Sequence, residues 1–218
     1  TKNGYRDARI TFDTAYLVSV NRMNIRMQIE EGRKYYFRNI NWEGNIKYTD
    51  EQLSKVLNIK KGDVYNMEAL EKKLTFSLTE EDITSLYMDD GYLFFRVVPV
   101  EKTVEGDSID VEMRIYEGPQ ATIDKIIING NTKTSDHVIL REIRTNPGQK
   151  FSRRNLIRTQ QALGQLGMLD PEKIDPRPMP HPERGTVDIV YNLEEKPSDM
   201  LELSGGWGAG FGFVGTLG

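Results

Sequence analysis

"FRNINWEGN", Phe37 to Asn45, returns as "IDKIIINGN", Ile123 to Asn131, in a chain of 218 residues. The stretches stand 86 positions apart (37 to 123), and that offset also pairs Asp50 with Asp136, Leu53 with Ile139, Gly62 with Gly148, Tyr65 with Phe151 and Leu70 with Leu156. One offset kept over so many positions marks an internal repeat, so the fold is that of a unit used more than once. The end of the unit repeats as well. "MNIRMQI" (Met23 to Ile29), "IDVEMRI" (Ile109 to Ile115) and "VDIVYNL" (Val187 to Leu193) each place apolar residues at alternate positions. That is the period of a half-buried strand. Each strand then runs on to a shared glutamate: Glu31, Glu117 and Glu195.

One unit reads as strand, helix, helix, strand, strand. The first strand lies around Asn39 to Trp42, or Lys125 to Ile128, and stops at Gly-Asn, a turn pair. Thr49 with Gln52 forms a capping box, and Leu53, Val56 and Leu57 give the helix its apolar stripe. Gly62 and Gly148 are expected to end that helix, Asn66 and Ser152 to cap the second, and Gly91 in "YMDDGYL" to close it. One copy has a longer second-helix region, Met67 to Asp90, in which Thr79 with Asp82 can cap a further helix. A strand through Phe95 to Val100 and a turn at Glu105-Gly106-Asp107 lead into the alternating strand. Complete units are predicted over residues 33–118 and 119–197, and residues 1–32 carry only the end of one, with Asn3-Gly4-Tyr5 aligned to Asp90-Gly91-Tyr92. More repeats are therefore expected upstream in the natural protein. The fold class is α+β.

Composition narrows the function. With 38% hydrophobic and 28% charged residues and a net charge of -4, the chain suits one or two folded domains, and its basic residues are scattered rather than set in a phosphate-binding stripe. Nucleic acid is not expected as a partner. The absence of cysteine removes thiolate metal sites, disulfides and cysteine nucleophiles. His137 and His181 are solitary, and Glu80-Glu81-Asp82 and Asp89-Asp90 read as a solvated helix face rather than a metal site. No catalytic, cofactor or metal residues are assigned, so an enzyme is not expected.

The C-terminal "GFGFVG" (Gly210 to Gly215) formally satisfies the dinucleotide-binding glycine pattern, but no helix and no acidic residue follow at the required distance. Period two fits better. Leu201, Leu203, Trp207, Phe211, Phe213 and Leu217 alternate with polar residues and glycines, as in a strand with one apolar face and one nearly bare. A transmembrane barrel strand has this pattern, and residues 198–218 are read as a linker and the first such strand, with Leu203, Trp207, Phe211 and Phe213 facing the membrane.

These features resemble the POTRA domains of outer-membrane assembly proteins of the BamA type. The resemblance is carried by "EGN" (Glu43 to Asn45) and "NGN" (Asn129 to Asn131), "DGYL" (Asp90 to Leu93), the strands ending "EEG" and "YEG", "LREIR" (Leu140 to Arg144), and the passage "VDIVYNLEEKPSDMLELSGGWGAG". It implies tandem domains, each a three-stranded mixed sheet with the last strand in the middle and two helices on one face. It also implies a periplasmic location for this segment, a C-terminal barrel in the outer membrane, and two partner classes: unfolded outer-membrane protein precursors, and accessory lipoproteins of the assembly complex. The residues matching the accessory contact are Arg141, Glu142 and Arg144.

The family places the second strand of each unit at a sheet edge, and an open edge can accept an extended peptide as an added strand. The expected edge residues are Ala8, Arg9, Ile10, Thr11 and Phe12 in the first copy and Phe95 and Val97 in the second. Proline removes a ladder donor, and "KIDPRPMPHP" of the third copy carries Pro176, Pro178, Pro180 and Pro182 against Pro99 alone in the second. Clients are expected to add to the first copy more readily than to the later ones. The other reading of these prolines is protection of edges against aggregation. A two-partner secretion transporter, a structural spacer and the translocation proteins of chloroplast envelopes share parts of the pattern.

Overall fold

The computed structural model describes residues 3–19, 21–75, 81–197, 203–208 and 212–217. The chain divides into two compact units. One is Thr1–Thr122 with Lys150–Arg154 and Glu183–Gly185; the other is Ile123–Gln149, Asn155–Pro182 and Thr186–Gly218.

In the first unit a sheet forms from β3 (Tyr36–Glu43), β4 (Arg96–Glu105) and β5 (Ser108–Tyr116). Its order is β3-β5-β4, with β5 parallel to β3 and antiparallel to β4, so the last strand of the repeat is central. The alternation of β5 buries Ile109, Val111, Met113 and Ile115 together with Phe37, Leu53, Leu57, Leu70, Leu74, Ile83 and Tyr87. Full burial of such side chains contributes roughly 1.5–3 kcal/mol each relative to exposure.

Helices α1 (Asp50–Leu57), α2 (Met67–Leu74) and α3 (Ile83–Asp89) supply the other side of that core. The predicted capping box is present, Thr49 and Gln52 each accepting the other's backbone N–H. Asn66 caps α2 through the Ala69 amide. The long second-helix region is two helices, and Asp82 is itself the cap of α3, accepting from the Ser85 amide at 2.8 Å. Asp82 is buried, not part of a solvated face, because its carboxylate also holds the Ser85 hydroxyl. Thr79 and Glu80 lie outside the described residues. Nor does Gly62 end α1. The helix stops at Asn58, which takes the left-handed conformation (φ 48°), while the Gly62 amide donates to Phe37 O.

The second unit repeats the plan with β6 (Thr122–Asn129), β7 (Asp175–His181) and β8 (Thr186–Asn192) in the order β6-β8-β7, and with α4 (Asp136–Glu142) and α5 (Arg153–Gly164). His181 ends β7 and pairs with Asp188 at 3.1 Å. Ahead of the first complete repeat, β1 (Arg9–Ser19) and β2 (Arg22–Glu30) form an antiparallel ribbon. Met23, Ile25, Met27 and Ile29 there are 57–65% exposed, whereas their counterparts Ile109, Val111, Met113 and Ile115 are at most 8% exposed.

The C-terminal glycine stretch departs from the expected single strand. β9 (Leu203–Gly208) and β10 (Gly212–Leu217) pair antiparallel, Trp207 opposite Phe213 and Leu203 opposite Leu217. Folding back pairs backbone groups that one lone strand would leave open. Leu201 and Phe211 lie outside the described residues.

The motifs that first marked the repeat have specific structural duties. Gly44 and Gly130 sit at φ 88° and 93°, and a Cβ on either would lie 2.2 or 1.9 Å from the carbonyl oxygen of Ile115 or Leu193. The asparagines that follow do the same work in both copies, Asn45 donating to Tyr48 O and Asp50, and Asn131 to Thr134 O and Asp136. The shared glutamate closes the arrangement. Glu117 accepts from the Ile46 and Lys47 amides at 2.7 and 2.8 Å and from the Tyr87 hydroxyl, and Glu195 accepts from the Thr132 hydroxyl and the Lys133 and Thr134 amides. Hydrogen bonds from Thr134, opposed by burial and reinforced by Thr132 and the two amides, hold the Glu195 carboxyl at about 2, down from 4.5.

Two outcomes follow. Gly44→Ala combines a backbone clash with an unfavourable φ and is expected to cost about 3 kcal/mol or more in urea unfolding, against about 1 kcal/mol for Gly62→Ala, which has the same φ sign but open space. Because the Glu195 pKa is depressed on folding, its contribution is present above about 4.5 and is lost as pH falls towards about 2. Urea midpoints across that window should therefore fall less for Glu195→Gln than for the unaltered chain, and equal slopes would remove this role for Glu195.

Candidate functional site

β5 lies between β3 and β4 in the sheet, which leaves β4 with one strand partner. Among the described residues β4 pairs with β5 alone, β7 with β8 alone, and β1 with β2 alone. Each second strand of the repeat therefore carries an open row of backbone groups on its outer side.

Of the residues expected at these edges, Arg9, Ile10, Thr11 and Phe12 lie in β1 and Val97 in β4. The β1 edge extends further than expected, to Ser19, with Ile10, Phe12, Tyr16, Leu17 and Val18 exposed. Two residues do not belong. Ala8 precedes the strand and its amide is directed at Tyr5 O. Phe95 is core: it is 5% exposed, stacks on Tyr87 at 4.0 Å, and its amide donates to Tyr92 O. The two-residue alternation that includes Phe95 in the strand does not register the tight turn at Gly91 to Phe94, which uses that amide before β4 begins.

Glu101 of β4 went unrecognised in the sequence. Its carboxylate receives Arg6 Nη2 at 2.7 Å and Nε at 3.0 Å, and the Tyr65 hydroxyl at 2.5 Å, while Tyr35 donates to Asp7 at 2.6 Å. The Arg6 hydrogen bond holds the Glu101 carboxyl below its ordinary range, and burial, followed by the bond to Glu101, raises the Tyr65 hydroxyl. Arg6 thus ties the segment before β1 to the edge strand of the next repeat. Nothing in the spacing links residues 6 and 101, and only the fold brings them together.

The sheet face opposite the helices is a mesh of opposite charges. Arg38 meets Asp110 at 2.6 Å and also Glu105, and Glu112 meets Lys102 and Arg114 at 2.9 Å each. Arg38 lowers the Asp110 carboxyl, and Lys102, then Arg114, lowers that of Glu112. Charges so paired present a hydrated surface with little left over for a ligand. Among the described residues no group of three His, Asp or Glu side chains could hold a metal ion.

The three residues that the resemblance matched to an accessory contact separate. Arg141 and Glu142 end α4, joined side chain to side chain at 3.3 Å, but Arg144 lies beyond the helix. The chain turns extended at buried Ile143 (φ -73°, ψ 126°), and the Arg144 amide donates to Thr159 Oγ1. With Pro147 close behind, the helix has no room to continue.

Repeated α+β modules, each with its last strand central and its second strand on an open edge, define a class that exposes strand backbone at its sheet edges. The chain belongs to the POTRA family: the family model, described as surface antigen variable number repeat, matches residues 35–118 and 121–196. It is similar to the outer membrane protein assembly factor BamA of Neisseria meningitidis, 27% identical over 184 residues that make up 80% of this chain and 23% of that protein. It is likewise similar to the chloroplastic outer envelope protein 80 of Arabidopsis thaliana, 28% identical over 68% of this chain and 20% of that one. The fold matches POTRA domains 3–5 of Haemophilus influenzae BamA with a TM-score of 0.71 at 21% identity, covering 89% of this chain and 75% of that structure. The chain spans about a quarter of the length of the curated relatives it matches.

Proposed function

We propose that this chain is the periplasmic arm of an outer-membrane assembly factor, which receives unfolded outer-membrane protein precursors and passes them to a membrane barrel for folding and insertion. The observation that carries the reading is the open edge of β4, repeated at β1, in a chain similar to factors named for outer-membrane protein assembly. Strand addition draws affinity from main-chain hydrogen bonds, which any extended segment can form. That suits a handler of many different precursors and requires no catalytic group, so the role is non-enzymatic.

The remaining assignments follow from this reading. Residues 33–118 and 119–197 are complete repeats, and the ribbon of residues 1–32 is the end of another. Its exposed Met23, Ile25, Met27 and Ile29 fit a covering strand and helices like those over Ile109 to Ile115. The stretch 198–218, with Leu203, Trp207, Phe211 and Phe213, leads into the barrel. Arg141 and Glu142 at the end of α4, with Arg144 beyond it, form the contact for accessory lipoproteins.

Depletion of the full-length protein, with quantification of all outer-membrane barrel proteins together, tests the reading. A general fall is expected. Loss of one secreted protein with other barrels unchanged would instead identify a dedicated secretion transporter.

A further inference from the structure

In an antiparallel pair, residues alternate between those that exchange hydrogen bonds with the partner and those whose N–H and C=O point away from it. A proline within an unbroken ladder must hold an outward position, since it has no N–H to donate inward. The β7·β8 register runs without a break from Asp175 to His181, and Pro176, Pro178 and Pro180 stand opposite Tyr191, Ile189 and Val187. All three partners are buried. Pro99 of β4 likewise stands opposite buried Met113. One rule therefore covers both sheets: a second-strand residue facing a buried residue of the central strand points its backbone outward. The shared rule has a physical cause, because strand direction and L-chirality together fix which way the N–H points once the side-chain face is set.

This rule gives each edge its set of outward donors. On β4 the outward residues are Val97, Pro99 and Glu101, opposite Ile115, Met113 and Val111, and, past the bulge after Glu101, Val104 opposite Ile109. Only Pro99 lacks an N–H. On β1, whose partner strand repeats β5, they are Ile10, Asp13, Ala15 and Leu17, opposite Ile29, Met27, Ile25 and Met23, and every one has an N–H. On β7 the outward residues Pro176, Pro178 and Pro180 have none, so that edge presents acceptors only. Its two-residue spacing of prolines leaves the inward ladder untouched while emptying the outward row.

We infer that strand addition is gated by this donor phase: β1 and β4 accept an extended segment of an unfolded barrel precursor, and β7 rejects it. The inference rests on the client-binding reading above and assigns that binding to particular edges. A strand held at β1 or β4 is thereby kept from lodging on the last repeat, nearest the C-terminal hairpin in sequence.

The test places a photo-crosslinking residue at Tyr16, Val98 or Met179 in the full chain and adds a small outer-membrane barrel protein diluted from urea. Tyr16 and Val98 should capture it, and Met179 should not. The variant carrying Pro176→Ala, Pro178→Ala and Pro180→Ala restores three donors and should raise capture at Met179 by about tenfold or more. Conversely, Ala15→Pro, at an outward position that leaves the β1·β2 ladder intact, should lower capture at Tyr16, with circular dichroism unchanged. Capture at Met179 in the unaltered chain equal to that at Val98, or no gain in the alanine variant, overturns the gate. Absence of capture at all three positions overturns the client-binding reading itself.

Discussion

The carbonyl of Ile115 lies so close to Gly44 that no side chain fits between them, and the carbonyl of Leu193 does the same to Gly130. These contacts seat the end of each repeat's last strand against the turn that follows its first strand. Glu117 and Glu195 then hold the loop beyond by its amides. With the central place taken in this way, the second strand has only the outer position left. The open edge is thus a consequence of core packing, and the function proposed for it depends on a glycine and a glutamate that lie outside the edge strand.

What the rest of the surface offers is consistent with that division of labour. The face of the β3-β5-β4 sheet away from the helices is paired charge for charge, so its side chains are largely satisfied within the sheet. Among the described residues the outer edge of β4 has no strand partner. Hydrogen bonding to backbone reads the extended conformation of a ligand more than its sequence, which is the selectivity that precursors of many different barrels would share.

Much of this organisation was legible in the sequence because repetition and alternation report packing directly. The 86-residue offset and the period of Ile109 to Ile115 identified the unit and its core face, while the central place of that strand came from the POTRA resemblance. The capping box at Thr49 follows from local chemistry and was equally readable. Misreadings arose where tertiary contacts settle the outcome. Asn58 ends α1 because Gly62 is engaged with β3, Phe95 is drawn into the aromatic core with Tyr87, and Arg144 leaves the helix where Ile143 turns inward. The glycine-rich stretch carries the period of a strand, but period alone does not say where a strand folds back on itself. The Arg6–Glu101 pair, between segments far apart in sequence, has no local signal at all. The prolines of β7 were visible as a cluster, yet their meaning depends on phase, and only the register shows that all three face outward.

Residue-resolved amide hydrogen exchange on the chain, with and without a urea-unfolded outer-membrane barrel protein, tests the central claim most directly. The account predicts that the outward amides of Val97, Glu101 and Val104 exchange quickly alone and become protected with the precursor present. The inward amides of Val98 and Val100 should be protected in both states. Protection confined to the charged sheet face around Arg38 and Asn39, with the outward β4 amides unchanged, would contradict it.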